Sequence, residues 1–393
     1  MQSKTKNVVL QKILQDIELP DSAYEKATER YKSIGKWFER PESKFSDNSP
    51  HIYPPGSFRQ GTAIKPLEGG HYDLDMCSTF RTGISKNVTT QEVLKNMVGA
   101  ELDNYRTVNG VKKELDEKRR YWQLEYADGM SFHIDVVPSI PEDNATRLSE
   151  TRNLLIESSA MDESLADEVS SLTVAITDTE HDDYTNPSSD WNVSNPEGFA
   201  KWFESRIRIG ADFLNERSIQ LSAQIDDVPV FQWKSPLQQA IQLLKRHRDV
   251  MFGDNDSKPI SIIITTLAAR SYNGERTVHE AVLNIVNSME SQINLTKPLV
   301  PNPVNPKEDF ADKWYDPKYQ TDKLEQNFRL WLTQAKIHFE TLINGKDNKS
   351  IVETTKQGFA INIDDSILPT MAAAVHTPPK TINSSPARPW LEE

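Results

Sequence analysis

The sequence predicts an α+β fold in two parts, a mixed sheet followed by a helical lobe. Apolar/polar alternation of period two recurs between residues 52 and 138, and apolar spacing near 3.6 takes over after residue 196. The length of 393 residues also exceeds what one hydrophobic core usually organises. We therefore expect residues 1–195 to form a sheet-containing core with a long N-terminal helix, 196–375 a helical lobe, and 376–393 a mobile, proline-containing tail.

Residues 8–38 read as one long helix through Val9, Leu10, Ile13, Leu14 and Ile17 and then Ala23, Ala27, Tyr31, Ile34 and Trp37. Pro20 kinks or divides it. Strands are expected at 72–80, 120–126 and 130–137, with a helix at 91–105 between them. Residues 141–195, rich in Ser, Asp, Asn and Thr, read as a connecting region of surface loops with one strand at 172–177. Helices follow at 196–214, 236–251, 259–272, 277–291, 318–342 and 349–359, with a Pro/Asn loop at 297–306.

The net charge is −13, from 45 basic and 58 acidic residues. Residues 141–190 alone hold 13 acidic side chains against Arg147 and Arg152, a local charge of −11. A long nucleic acid needs a basic footprint, so it is excluded as the expected substrate. A free nucleotide is not, because a local basic pocket and bound cations neutralise its phosphates. No apolar run approaches the ~20 residues of a membrane helix, and Met1 to Lys6 lacks a secretion signal, so a cytoplasmic location is expected. The single cysteine, Cys77, makes no internal disulfide, and no Cys/His spacing suggests structural zinc. The expected metal ligands are therefore carboxylates.

One constellation carries chemistry. Gly56-Ser57 is followed by Tyr72-Asp73-Leu74-Asp75-Met76 and, some 60 residues later, by Phe132-His133-Ile134-Asp135-Val136. Side chains alternate across a strand, so Asp73 and Asp75 emerge on one face while Tyr72, Leu74 and Met76 face a core. The second run repeats the pattern with Asp135 and His133 outward. Neighbouring strands would bring the three carboxylates to one point, where they repel unless cations sit among them. Mg²⁺ suits such hard oxygen ligands, and two ions ~4 Å apart stabilise both the attacking and the leaving oxygen of a phosphoryl transfer. Asp73 and Asp75 would bridge two ions, with Mn²⁺ as a substitute. Asp135 would serve the ion that activates an attacking ribose hydroxyl and accept its proton. The Pro-Pro-Gly-Ser turn offers backbone N–H groups and the Ser57 hydroxyl to phosphates.

Gly56-Ser57, Asp73-x-Asp75 and Asp135 resemble the bacterial cyclic-oligonucleotide synthases related to cyclic GMP-AMP synthase and oligoadenylate synthase, which are polymerase-beta-like nucleotidyltransferases. The resemblance extends to about residue 360. It implies a polymerase-beta-like sheet with a long N-terminal helix packed on a helical lobe, and the active site between them. It implies NTP substrates, ATP and/or GTP, joined with loss of pyrophosphate into a cyclic di- or trinucleotide. A role in antiphage defence follows, with a regulatory protein and a separate effector that binds the product. The alternative is a template-independent nucleotidyltransferase acting on RNA or a small acceptor, since those enzymes share the same carboxylates.

By the same resemblance Lys245 contacts the donor triphosphate. Ser235-Pro236-Leu237-Gln238 is a capping box that opens its helix, and Leu237, Ala240, Ile241 and Leu244 form the buried face beside it. The competing reading is a basic last turn that complements the helix dipole, which suits Arg246 and Arg248. Ser271-Tyr272 ends the next helix before Asn273-Gly274. There the family stacks a purine and reaches a phosphate; a surface tyrosine is the alternative. Cys77 reads as a small buried filler. His133 either orients Asp135 or a substrate, or makes a structural hydrogen bond. Tryptophans such as Trp191, Trp202, Trp233, Trp314 and Trp331 read as packing groups.

Overall fold

The computed structural model describes residues 2–127, 131–159, 161–209, 234–364, 366 and 368. The expected tail at 376–393, Trp233 and the ends of the helix at 196–214 and the strand at 130–137 lie wholly or partly outside these residues.

The N-terminal periodicity resolves into two helices, α1 (Gln2–Ile17) and α2 (Asp21–Glu39), divided at Pro20, whose extended backbone precedes the second. The break redirects the chain between two cores. Val9, Leu10, Ile13, Leu14 and Ile17 of α1 pack into a helical cluster, whereas Ala23, Ala27, Tyr31, Ile34 and Phe38 of α2 pack against the sheet.

The sheet is built from β1 (Pro50–Tyr53), β2 (Tyr72–Phe80), β3 (Asp116–Glu117), β4 (Trp122–Tyr126), β5 (Phe132–Pro141), β6 (Val174–Ile176) and β7 (Asn192–Ser194). Its order is β1-β2-β5-β4-β3, with β6 pairing the far end of β5 and β7 pairing β6. Only the β2–β5 pair is parallel among these described strands. Leu74, Met76, Phe132, Ile134 and Val136 are each 0–1% exposed, which leaves the alternate positions of both strands on the opposite face. The short helix α3 (Gly56–Gln60) follows β1. Helix α4 (Gln91–Val108), capped by the Thr90 side chain on Val93 N–H, covers the apolar face through Leu94, Val98 and Leu102.

Residues 141–195 differ from the expected loop region. Two helices, α5 (Ala145–Ser159) and α6 (Glu163–Ser171), occupy most of the first half. Asn144 and Asp162 side chains accept from the opening N–H groups of these helices. Buried residues are few, only Leu155 in α5 and Ala166, Val169 and Ser170 in α6, so α5 has no apolar stripe to mark it in the sequence and α6 has one only nine residues long.

The remaining helices are α7 (Pro196–Arg208), α8 (Pro236–Phe252), α9 (Ser261–Ser271), α10 (Val278–Ser288), α11 (Leu324–Asn344) and α12 (Asn348–Phe359). With α1 they enclose a second cluster that includes Leu237, Ile241, Leu267, Val282, Trp331 and Phe339. Trp191, Trp202 and Trp331 are 0–4% exposed, as packing groups should be. The expected loop at 297–306 instead carries a small hairpin, β8 (Pro301–Asn302) and β9 (Asn305–Asp309). Its base is held by the Asp309 carboxylate, which accepts from the backbone of Leu299, Val300 and Ala311.

Candidate functional site

Parallel pairing of β2 with β5 sets Asp75 directly opposite Asp135 and Asp73 opposite His133. Strand β4 extends both rungs on the other side of β5, with Gln123 opposite Asp135 and Glu125 opposite His133. Two polar rows therefore cross the open face of the sheet. One reads Asp75, Asp135, Gln123; the other reads Asp73, His133, Glu125.

Each row has its own electrostatics. Desolvation raises the Asp75 carboxyl to about 7, and the neighbouring charges of Asp135 and Asp73 push the same way, against a lowering by Lys245. Asp135 is raised as well, chiefly by burial, although Gln123 Nε2 donates to its Oδ1 at 2.8 Å. Asp73 is the open member, its side chain 83% exposed, with Oδ1 3.6 Å from His133 Nδ1. Gln123 escaped the sequence reading. Its one signal is its place on a strand beside β5.

The glycine turn closes on this face. Gly56 has φ +72°, and a Cβ there would stand 2.2 Å from Asp75 Oδ2. Backbone and carboxylate are thus in contact, which only glycine permits. Ser57 follows as the second residue of α3, and Thr62 N–H closes back onto the Ser57 carbonyl at 2.9 Å.

Helix α8 fixes the segment that leaves this turn. Its capping box is complete, with Ser235 and Gln238 each bonding the other's backbone N–H. Gln238 Nε2 then donates to Gln60 O at 2.8 Å, Gln242 Nε2 to Ala63 O at 2.8 Å, Lys245 Nζ to Thr62 O at 3.2 Å, and Arg246 Nη2 to Lys65 O at 2.6 Å. Lys245 also reaches Thr62 Oγ1 at 3.0 Å. This ladder was not read from the sequence, because its acceptors are carbonyls and leave no signature there. Lys245 is 5% exposed, and burial with Arg248 nearby lowers its ammonium to about 7, opposed by Asp249 and Asp75.

Residues 50–138, which contain the turn and all three carboxylates, match the family described as cyclic GMP-AMP synthase DncV-like, nucleotidyltransferase domain. Over these residues the chain is similar to a DncV-like nucleotidyltransferase domain. It is 28% identical over 316 residues to a c-di-GMP synthase of Roseivirga ehrenbergii, covering 78% of this chain and 72% of that one. The cyclic dinucleotide synthase CdnG of Bradyrhizobium diazoefficiens is 24% identical over 361 residues, 86% of this chain and 74% of its own. The structure of that synthase with GTP superposes with a TM-score of 0.60 over 92% of this chain and 96% of its own, at 21% identity. The fold is that of these synthases, and the protein is a nucleotidyltransferase enzyme similar to them.

The nucleotidyltransferase domain gathers Gly56, Ser57, Asp73, Asp75 and Asp135 on one side of its sheet and draws Lys245 of α8 to the same region. Ser271 and Tyr272 stand apart. Tyr272 is 1% exposed within the helical cluster, its hydroxyl donating to Glu275 O at 3.0 Å, so its ring is a core group and not a surface tyrosine. Ser271 is 2% exposed, and its Oγ is buried without a hydrogen-bond partner among the described residues.

The dipole reading of Arg246 and Arg248 is corrected. Helix α8 runs on to Phe252, so neither arginine lies in its last turn. Both are buried: Arg246 serves the ladder, and Arg248 donates to Pro259 O, Ser261 Oγ and Asp249 Oδ1. Cys77 is buried at 2% exposure, as a filler should be. No helix of the described residues is long and apolar enough to cross a membrane.

Proposed function

We propose that the protein condenses nucleoside triphosphates, GTP first among them, into a cyclic dinucleotide with release of pyrophosphate. The observation that carries this reading is the rung Asp75–Asp135 with the Gly56 backbone pressed against Asp75. The names of its relatives, a c-di-GMP synthase and a cyclic dinucleotide synthase, favour a guanine product of two units.

Three carboxylates crowded at one place, two of them displaced upward in pKa, fit a divalent cation. Asp73, Asp75 and Asp135 would hold two Mg²⁺, or Mn²⁺ in substitution. Such ions neutralise triphosphate charge and acidify a ribose hydroxyl.

The protein's own groups do the rest. Gly56 and Ser57 receive the donor phosphates through backbone N–H groups and the Ser57 hydroxyl. Lys245, fixed by Thr62, adds a positive charge behind Asp75. Asp135, oriented by Gln123, accepts the proton of the acceptor hydroxyl as that oxygen bonds to the α-phosphorus and pyrophosphate departs. A second transfer on the linear intermediate closes the ring. Signalling to a separate effector in antiphage defence, under a regulatory protein, completes the reading.

The test is mass spectrometry of products formed from all four NTPs with Mg²⁺. A cyclic dinucleotide containing guanine is expected. Linear products, or extension of added tRNA, would establish the template-independent alternative instead.

A further inference from the structure

Two members of the second polar row, His133 and Glu125, have no part in the proposed nucleotide transfer. His71, just before β2, stacks on His133 with ring centroids 4.2 Å apart and planes at 15°. Glu125 on β4 faces the same ring, its Oε2 3.7 Å from His133 Nε2. One donor atom from each of His71, Glu125 and His133 lies within 4.8 Å of the other two. Zinc-ligand bonds of about 2.0–2.2 Å lie in the imidazole plane and place ligand atoms about 3.3–3.5 Å apart, so binding needs the His71 ring to swing out of its stack on His133 and Glu125 to close in.

We propose that His71, His133 and Glu125 form a binding site for a borderline divalent cation of the Zn²⁺ class, separate from the Asp75–Asp135 rung. Two imidazoles and a carboxylate select such a cation over Mg²⁺, which prefers oxygen ligands in an octahedral shell. The surroundings suit the assignment. Lys113 Nζ holds Glu125 Oε1 at 2.5 Å, which leaves Oε2 turned to His133. His133 presents Nε2 to Glu125 and Nδ1 to Asp73 Oδ1 at 3.6 Å. A metal on Nε2 would therefore have a carboxylate behind its imidazole, the outer-shell arrangement that fixes the tautomer of a ligating histidine. The sequence hides the set because its members lie on three separate segments, at positions 71, 125 and 133.

The full chain, stripped with chelator and returned to millimolar Mg²⁺, is titrated with Zn²⁺ by calorimetry. One Zn²⁺ per chain is expected, with Asp75→Asn binding as the wild type does. His71→Ala and Glu125→Gln should each weaken binding at least tenfold. His71 lies outside any strand or helix, so its replacement leaves the sheet intact, as circular dichroism will check. Absence of Zn²⁺ binding by the wild type overturns the proposal. So does wild-type affinity in both His71→Ala and Glu125→Gln, or loss of binding in Asp75→Asn, which would assign the ion to the carboxylate row. Because binding is read without turnover, these results stand apart from the product assay.

Discussion

Gly56 and Asp75 are in contact so close that no β-carbon fits between them: one built on Gly56 would stand 2.2 Å from Asp75 Oδ2. Its φ of +72° adds a second reason for glycine. Gly56→Ala is expected to displace Asp75 and to cost about 1–2 kcal/mol in backbone strain. Misplacement of a reacting group by ~1 Å costs about 100-fold in rate, so turnover should fall by that order while most of the fold survives. Pyrophosphate release measured beside melting temperature checks this. Wild-type turnover in Gly56→Ala would remove the turn from the active site.

Asp75 should make stability depend on pH when divalent cations are chelated. Burial and the neighbouring Asp135 and Asp73 raise its folded pKa from the ordinary 3.8 to about 7. The favourable state is the protonated one, so its contribution is full below about pH 4 and is lost as pH rises through about 7. Asp75→Asn removes this dependence. In chelator, the variant is expected to melt above wild type at pH 7.5 and close to it at pH 4.5, while forming no product. Parallel melting curves for the two proteins would mean that Asp75 carries its charge without penalty.

Lys245 bonds Thr62 and, in the proposed reaction, meets the triphosphate; two substitutions separate the roles. Thr62→Val removes the side-chain acceptor at 3.0 Å but leaves the ammonium near Asp75. It should cost about 1 kcal/mol in stability with turnover within a few-fold of wild type. Lys245→Met removes the charge as well. If that charge meets the triphosphate, turnover should fall roughly 10- to 100-fold, the equivalent of about 1.5–3 kcal/mol. Equal kinetic effects of the two variants would make Lys245 a structural lysine.

His247 on α8 and His338 on α11 predict an acid sensitivity that does not come from the carboxylates. Their Nε2 and Nδ1 atoms are 2.9 Å apart, and burial, then His338, depress the His247 imidazole to about 3. A neutral histidine in the fold stabilises fully above the ordinary value of 6.5, and that stability falls as pH drops from 6.5 towards 3. His247→Phe keeps an aromatic ring beside Phe339 and Phe359 and removes the buried proton acceptor. Its melting temperature should decline less steeply than that of wild type between pH 6.5 and 4. Identical slopes would assign the acid limb to carboxylates elsewhere.

What the sequence disclosed follows from the kind of signal each feature leaves. Strict alternation around Asp73, Asp75 and Asp135 exposes both strands and the side of the sheet they share. Gly56 was legible because a turn before Asp-x-Asp is itself a pattern, and Ser235–Gln238 because a capping box is local. Helices α5 and α6 were hidden by the shortage of buried apolar side chains, and by Ser and Asp residues that also suit loops. Gln238, Gln242 and Arg246 look like a solvated helix face until the carbonyls that receive them are in view. Tyr272 misled for the opposite reason, since a residue at a helix end is buried or exposed according to neighbours far away in the chain.

The bonds from α8 to residues 60–65 span 178 to 183 positions of the chain. Translation proceeds at about 5–20 residues per second, so about ten to forty seconds separate synthesis of the glycine turn from synthesis of the helix that secures it. By the later part of that interval the nascent chain contains Asp73, Asp75 and Asp135, while the side chains that donate to the carbonyls beyond the turn have yet to be made. The turn beside Asp75 thus gains its helical support only after the second half of the polypeptide has been made.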